Sequence, residues 1–493
     1  MLKTMSRFAL IFALVAACCA QPAVTVTAHP GSPGYAIPPD FIGLATETGD
    51  LTGSFKLSTG LPFQNPVFQR MIRQIGPGAL RFGGDSVDFL TGWTRGQRTA
   101  ATPQTVLTSS DADPAFAFAR IVGWKVLWGL NLGKGASTDD ADEAAYVYQT
   151  ASDVLLALQI GNEPDDYPTL GTPLRPSTYS VTDYIAEWQT FANAIKSETP
   201  AAVLAGPDSS GSINSWTATF ASQLGPRVAL LTQHLFPLSP TSANPSAAKA
   251  ATIPNLLGDA LRTTEDKDAL ALQQMAQAQN IAWRMTATTN CYGGGEPGVS
   301  DVFASALWGL DYMFTLAEHD AAGLNFYGVG TSVINTPIVI DGNQITAQPL
   351  YYALLMFHAA ATGRIVPLDV VTNGVNLTAY GVLDTGGNLR VTVINKDLTQ
   401  DAAVNLAPGA GYTTASVMRL TAPALDSTTG ITLGGASVAA DGSWSPTQLE
   451  RGSVSGGALR TTVSAGSAAL VTFGNSAPPS RGRCRGNCRP KGI

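Results

Sequence analysis

The sequence predicts an α/β fold, a (β/α)8 TIM barrel with a C-terminal all-β sandwich domain, and three observations predict it. Eight short apolar runs, most of them closed by polar or glycine residues, recur between positions 41 and 328. Helical spacing fills intervals between them, most clearly at 184–197 and 302–317. After about Pro367 the helical period vanishes, and short alternating runs parted by Gly, Asp, Ser and Thr replace it.

Composition allows this. The chain has 493 residues, 45% hydrophobic and 13% charged, enough for a barrel of about 250 residues or more plus a satellite domain. A net charge of −7 argues against nucleic-acid binding as a general role.

Residues 1–20 read as an export signal. Lys3 and Arg7 precede an apolar run at 8–17, and Cys18-Cys19-Ala20 supplies small residues for cleavage near Ala20. The run is too short to span a bilayer, and no later segment holds about 18 continuous apolar residues, so no transmembrane segment is expected. A lipid-modified Cys18 is the alternative for a bacterial source. Residues 21–40 carry one strand, Val24-Thr25-Val26-Thr27-Ala28, whose alternation suits pairing with the C-terminal β module.

The barrel is assigned to 41–366. Its strands are FIGLATE (41–47), GALRFGGDS (78–86), GWKVLWGLNLG (123–133), LLALQIGNEPD (155–165), AVLAGPD (202–208), VALLTQHLFPL (228–238), IAWRMTATTNC (281–291) and AGLNFYG (322–328). A doubly wound sheet would open on GxGxxG after a first strand, and the first strand here is not followed by one. Gly129 to Lys134 falls one residue short of a phosphate loop. His29, His234, His319 and His358 are far apart and no HExxH occurs, so neither metal nor cofactor is expected. The β domain is assigned to 367–475. The end, 476–493, holds Arg481, Arg483, Arg485, Arg489 and Lys491 and reads as a disordered basic tail, in which Cys484 and Cys488 can bridge in an oxidising compartment. Cys291 is then single and buried. Asn376-Leu377-Thr378 is a glycosylation sequon if the source is eukaryotic.

The fourth run carries the chemistry. It ends in Gly161-Asn162-Glu163-Pro164, which places a carboxylate and an amide at the C-terminal end of a barrel strand, where catalytic groups of such barrels sit. Pro164 stops the strand and puts Glu163 in an extended or turn conformation. The other reading is a plain helix start.

These motifs, in this order, resemble glycoside hydrolase family 79, the β-glucuronidase and heparanase group. The resemblance rests on YAIPPD (35–40) with FIGL (41–44), LRFGGDS (80–86), GNEP (161–164), and YGGG (292–295) running into PGVSD (297–301), together with the β-rich end. It implies a secreted enzyme acting on terminal β-linked glucuronic acid of extracellular glycans by a retaining mechanism. Such a mechanism sets a protonated and an ionised carboxyl about 5–5.5 Å apart across the glycosidic bond. By resemblance Glu163 is the acid/base and Asn162 bonds the sugar 2-hydroxyl. Arg81 either supports the catalytic carboxylate, binds substrate, or is a buried ion-pair partner. His234 lines the cleft, and Tyr292 and Tyr327 bind the uronate. Trp93, Trp124 and Trp128 are core.

The second carboxylate is missing. The family pattern on strand seven runs Arg, apolar, small, Glu; here Arg284-Met285-Thr286 is followed by Ala287, and Cys291-Tyr292-Gly293 fixes the register. Alanine cannot attack an anomeric carbon. Glu296 matches no motif position, and Thr286 and Thr288 have no evident base. The chain is therefore a silenced, glycan-binding member, a user of an unusual mechanism, or a sequence altered at that codon.

Overall fold

The computed structural model describes residues 23–55, 61–330, 334–342 and 344–475. The expected leader at 1–20 and the basic tail with Cys484 and Cys488 lie outside them.

Eight parallel strands close into a barrel: Gly43–Glu47, Ala79–Gly83, Lys125–Leu130, Leu155–Ile160, Leu204–Ser209, Leu230–Leu235, Ala282–Thr288 and Leu324–Tyr327. Seven fall inside the runs read from sequence, and Leu204–Ser209 runs one residue past its own. The first two are buried along their whole length, as strands covered by helices outside and side chains inside must be. The helices between them follow sequence cues. Val181–Glu198 opens on a capping box in which Ser180 and Asp183 satisfy each other's backbone donors. Asp259–Gln279 ends where Asn280 turns left-handed, at φ 54°. Phe303–Glu318 is buried from Phe303 to Ala317 because barrel and β domain both pack on it.

Arg284 fastens the barrel where its last strand meets its first. It is 1% exposed, and all five of its N–H groups have acceptors. These are Asn325 Oδ1 and the carbonyls of Asp40, Ala322, Phe41 and Leu324. Burial lowers its pKa to about 10, still high enough to keep the charge at neutral pH.

The β domain begins earlier than expected. Arg364–Val366, placed in the barrel from sequence, pairs antiparallel with Leu377–Leu383. Three residues are too short to show an alternating period, so the sequence places the boundary later, at 367. One sheet orders Leu368–Val371, Ala23–Ala28, Ala402–Ala407 and Leu459–Val463. The N-terminal strand thus runs antiparallel to one neighbour and parallel to the other. The second sheet orders Arg364–Val366, Leu377–Leu383, Leu389–Asn395, Ser467–Asn475, Tyr412–Thr421 and Thr432–Leu433, with Glu450–Ser453 also on Tyr412–Thr421. Alternation divides its side chains. Val391, Val393, Val471 and Phe473 meet Val24, Val26, Val404 and Leu406 in the sandwich core. Tyr380, Val382, Ile394 and Leu470 face the barrel's helices, and Phe314 stacks on Tyr380 at 4.8 Å.

Two carboxyls under the barrel helices make stability pH-dependent. Trp128 Nε1 donates to Glu143 Oε1 at 2.7 Å, and Trp308 Nε1 to Glu265 Oε1 at 2.9 Å. Burial pushes both glutamates from 4.5 up to about 8, against these bonds. Between those values the unfolded chain has released the proton that the folded chain keeps. Each group's stabilisation is therefore complete below pH 4.5 and lost as pH rises through about 8, at about 1.4 kcal/mol per pH unit. Thermal melts between pH 5 and 8 should show a shallower fall for Glu143→Gln than for the natural chain. Parallel curves would show that Glu143 is already ionised when folded.

Candidate active site

The site is built at the C-terminal ends of the barrel strands, and the fourth strand sets its geometry. After Ile160 the chain turns through Gly161 at φ 82°, where a Cβ would come within 2.7 Å of the Tyr167 hydroxyl. Of the extended and turn conformations expected before proline, Glu163 takes a left-handed turn at φ 49°. Tertiary bonds hold it there. Its N–H donates to the Asp208 carbonyl at 2.9 Å, and its own carbonyl accepts from Asp166 N at 2.9 Å. Asp208, at the end of strand five, is itself left-handed at φ 56°. Two non-glycine residues in this sparsely populated region therefore face each other, a local cost that recurs at functional sites.

A buried polar chain runs beneath Glu163. Arg81, in the middle of strand two, donates to Gln159 Oε1 at 3.0 Å and to Asn162 Oδ1 at 2.8 Å, and lies 3.4 Å from Asp208 Oδ2. Asp208 Oδ1 lies 3.4 Å from His234 Nε2, an ion-pair distance rather than a hydrogen bond. On the other side of the ring, His234 Nδ1 is 2.8 Å from Glu163 Oε1. Charge runs in alternation along this line. Burial would raise Asp208, but Arg81 and His234 hold it well below the usual carboxylate range. Burial and Arg81 push His234 down, and Asp208 and Glu163 lift it above its ordinary value. Burial raises Glu163, opposed by the His234 hydrogen bond and charge and reinforced by Asp85. Asn162 is fixed at both ends: its N–H donates to Asp88 Oδ2 at 2.8 Å and its Nδ2 to Asp85 Oδ1 at 3.1 Å.

Glu47, at the end of strand one, accepts from Ser86 N at 2.9 Å, Ser86 Oγ at 2.7 Å and the Tyr327 hydroxyl at 3.1 Å. Burial and the nearby Asp85 charge raise it to about 7, against the Ser86 bonds. Gly84 passes beside it at φ 70°, and a Cβ there would overlap the Glu47 carboxyl. Gly84→Ala should therefore cost about 1–3 kcal/mol from the backbone alone and displace Glu47. Chemical denaturation of the variant checks it; unchanged stability would mean that this turn relaxes freely.

These strand ends enclose a cavity of about 520 Å³. Arg81, Asn162, Glu163, His234, Ala287, Tyr292 and Tyr327, the residues singled out from sequence, all line it. Arg81 and His234 do so as fully buried wall, their polar atoms turned to protein partners. Ala287 pairs in register with His234, one step past an irregularity between Met285 and Ala287. An extra residue at that point breaks strict alternation. Thr286 accordingly points at Asp208 inside the barrel, and the next residue still reaches the cavity wall. Tyr292, 62% exposed, stands at the rim in an edge-to-face pair with Phe236, ring centroids 6.2 Å apart. Glu296 is not a lining residue; its carboxylate holds Thr241 N and Oγ1. Trp93, Trp124 and Trp128 do not line the cavity either.

Sequence reasoning passed over Glu47, Asp85 and Asp208. Each closes a strand run or sits in a quoted motif (FIGLATE, GGDS, AVLAGPD), the same signal that singled out Glu163. Phe236 and Asn335, also in the wall, gave no such signal. Among the described residues no group of three or more His, Cys, Asp and Glu side chains is placed to hold a metal ion.

Known proteins share this plan. Residues 379–470 match the glycosyl hydrolase family 79 C-terminal beta domain. A β-glucuronidase of Aspergillus niger is 26% identical over 420 residues, 72% of this chain and 74% of that one. Among solved structures, a 4-O-α-L-rhamnosyl-β-D-glucuronidase from Fusarium oxysporum 12S superposes with a TM-score of 0.75 at 20% identity. The superposition covers 91% of this chain and all of that one. A family 51 arabinofuranosidase from Xanthomonas axonopodis pv. citri gives 0.68 at 14%, over 92% of this chain and all of that one, and so shares the fold. In its barrel, its C-terminal domain and its fungal β-glucuronidase relative, this chain is similar to the proteins of glycoside hydrolase family 79.

Proposed function

We propose that this chain is a glycoside hydrolase-type protein that binds a terminal β-linked glucuronic acid of an extracellular glycan and cleaves it very slowly. One observation carries the reading: Glu163 and Ala287 line the same cavity, so the acid of a two-carboxylate pair has no carboxylate beside it at the position of the second. In this reading Glu163 protonates the leaving oxygen, and Asn162, held by Arg81 and Asp85, meets the 2-hydroxyl. Tyr292 and Tyr327 meet the uronate. The composition of 1–20 supports export.

A cavity lined by Glu47, Asp85 and Glu163 would repel an acidic sugar if all were ionised. Burial removes part of that problem, because Glu47 is neutral below about pH 7. Binding of a non-hydrolysable aryl β-thioglucuronide, followed by calorimetry, should therefore weaken as pH rises through 7, and the neutral aryl thioglucoside should bind without that trend. Equal affinity for the two sugars at pH 5.5 would remove the uronate from the reading.

A further inference from the structure

Resting on that reading of the cavity as a glucuronosyl site, we propose that the space beside Ala287 makes the chain a former of β-glucuronide bonds. It would transfer glucuronic acid, with inversion, from an α-configured donor with a small leaving group to a sugar hydroxyl.

Three features place the parts. First, the wall at Ala287 is only a methyl group, and its hydroxyl-bearing neighbours are committed. Thr286 donates to Asp208, Thr288 to the Leu235 carbonyl at 2.8 Å, and Thr289 to the Asn335 carbonyl at 2.8 Å. None of these three hydroxyls is free to attack the sugar, and a small anion has room. Second, the other lining carboxylates are engaged, Glu47 by Ser86 and Tyr327 and Asp85 by Asn162. Glu163 alone lies against an imidazole, His234, whose far side is held by Asp208. That contact favours the carboxylate form, the form that accepts a proton, against the burial that raises the group overall. Third, a cavity of about 520 Å³, opening past Phe236 and the exposed Tyr292, has a mouth whose aromatic faces suit an acceptor sugar.

The step balances without any co-reactant. The acceptor O–H gives its proton to Glu163 while its oxygen lone pair forms the bond to C1. The C1–fluorine bond of an α-glucuronosyl fluoride breaks, and fluoride departs with the electron pair into the space beside Ala287. Glu163 then returns the proton to water. The β-linked product persists, because nothing at 287 can attack its opposite face.

The full-length protein incubated with α-D-glucuronosyl fluoride and 4-nitrophenyl β-D-glucoside tests this. Fluoride release and a new β-linked 4-nitrophenyl disaccharide are expected. Glu163→Gln should lower both by about 10²–10⁴-fold, the usual worth of a general base. If thioglucuronide binds but fluoride release stays at the buffer rate, or persists in Glu163→Gln, the transfer proposal is overturned and the binding reading stands. If thioglucuronide does not bind and no fluoride is released, both fall together.

Discussion

Ala287→Glu will raise cleavage of an aryl β-glucuronide by about 10⁴–10⁶-fold over the natural chain, the scale on which single catalytic groups are lost. The surroundings for a glutamate are in place. Position 287 reaches the cavity wall and pairs in register with His234, whose ring already contacts Glu163. A carboxylate there would add like-charge repulsion and raise Glu163 further, keeping the acid protonated to higher pH. kcat/KM for the variant and the natural chain measures the effect. Azide offers an independent arm. Attacking from the vacant face, it should release the aryl group from the natural chain and leave an α-glucuronosyl azide, inverted because one displacement replaces two. If the natural chain turns over as fast as Ala287→Glu, the nucleophile lies elsewhere. If the variant folds and neither route works, the pocket serves binding alone.

The second large effect lies far from the cavity. Lys396 Nζ sits 2.6 Å from Asp311 Oδ2, the two being 2% and 6% exposed, and this pair joins helix Phe303–Glu318 to the β domain. Tyr380 and Thr378 donate to the other carboxylate oxygen. Burial alone would raise Asp311; the Lys396 charge and these bonds hold it below its ordinary value instead. Lys396→Met removes the compensating charge and leaves the carboxylate buried, which costs about 3–5 kcal/mol. Denaturant unfolding should show that loss, and Lys396→Met with Asp311→Asn should recover part of it, since no charge is then stranded. A single variant within about 0.5 kcal/mol of the natural chain would mean that water reaches the pair.

The barrel was legible because most of its strands are apolar runs closed by polar residues, and two-sided burial leaves little room for other patterns. Glu163 was legible for a related reason, since its strand end carries a named motif. The contacts that tune it were not. His234 touches Glu163 across 71 positions of sequence, and Asp208 reaches that histidine from a different strand. No local pattern encodes such a meeting. The left-handed turn at Glu163 was likewise hidden, because the Asp208 carbonyl that holds it arrives from strand five. At the domain border, Arg364–Val366 is recognisable as a strand only through its partner, Leu377–Leu383.

The N-terminal strand imposes an order on biosynthesis. Ala23–Ala28 lies inside its sheet, with Leu368–Val371 on one edge and Ala402–Ala407 on the other. It leaves the ribosome ahead of the barrel, and its neighbours are made more than three hundred residues later. Its hydrophobic face, Val24 and Val26, waits without cover through the synthesis of the whole barrel. Closing so long a loop is slow, though the entropic cost grows only logarithmically with length. The sandwich can therefore be completed only after translation has reached Asn475, and a chain halted before Leu368 would carry a finished barrel preceded by an unpaired strand, a ready edge for another copy to join.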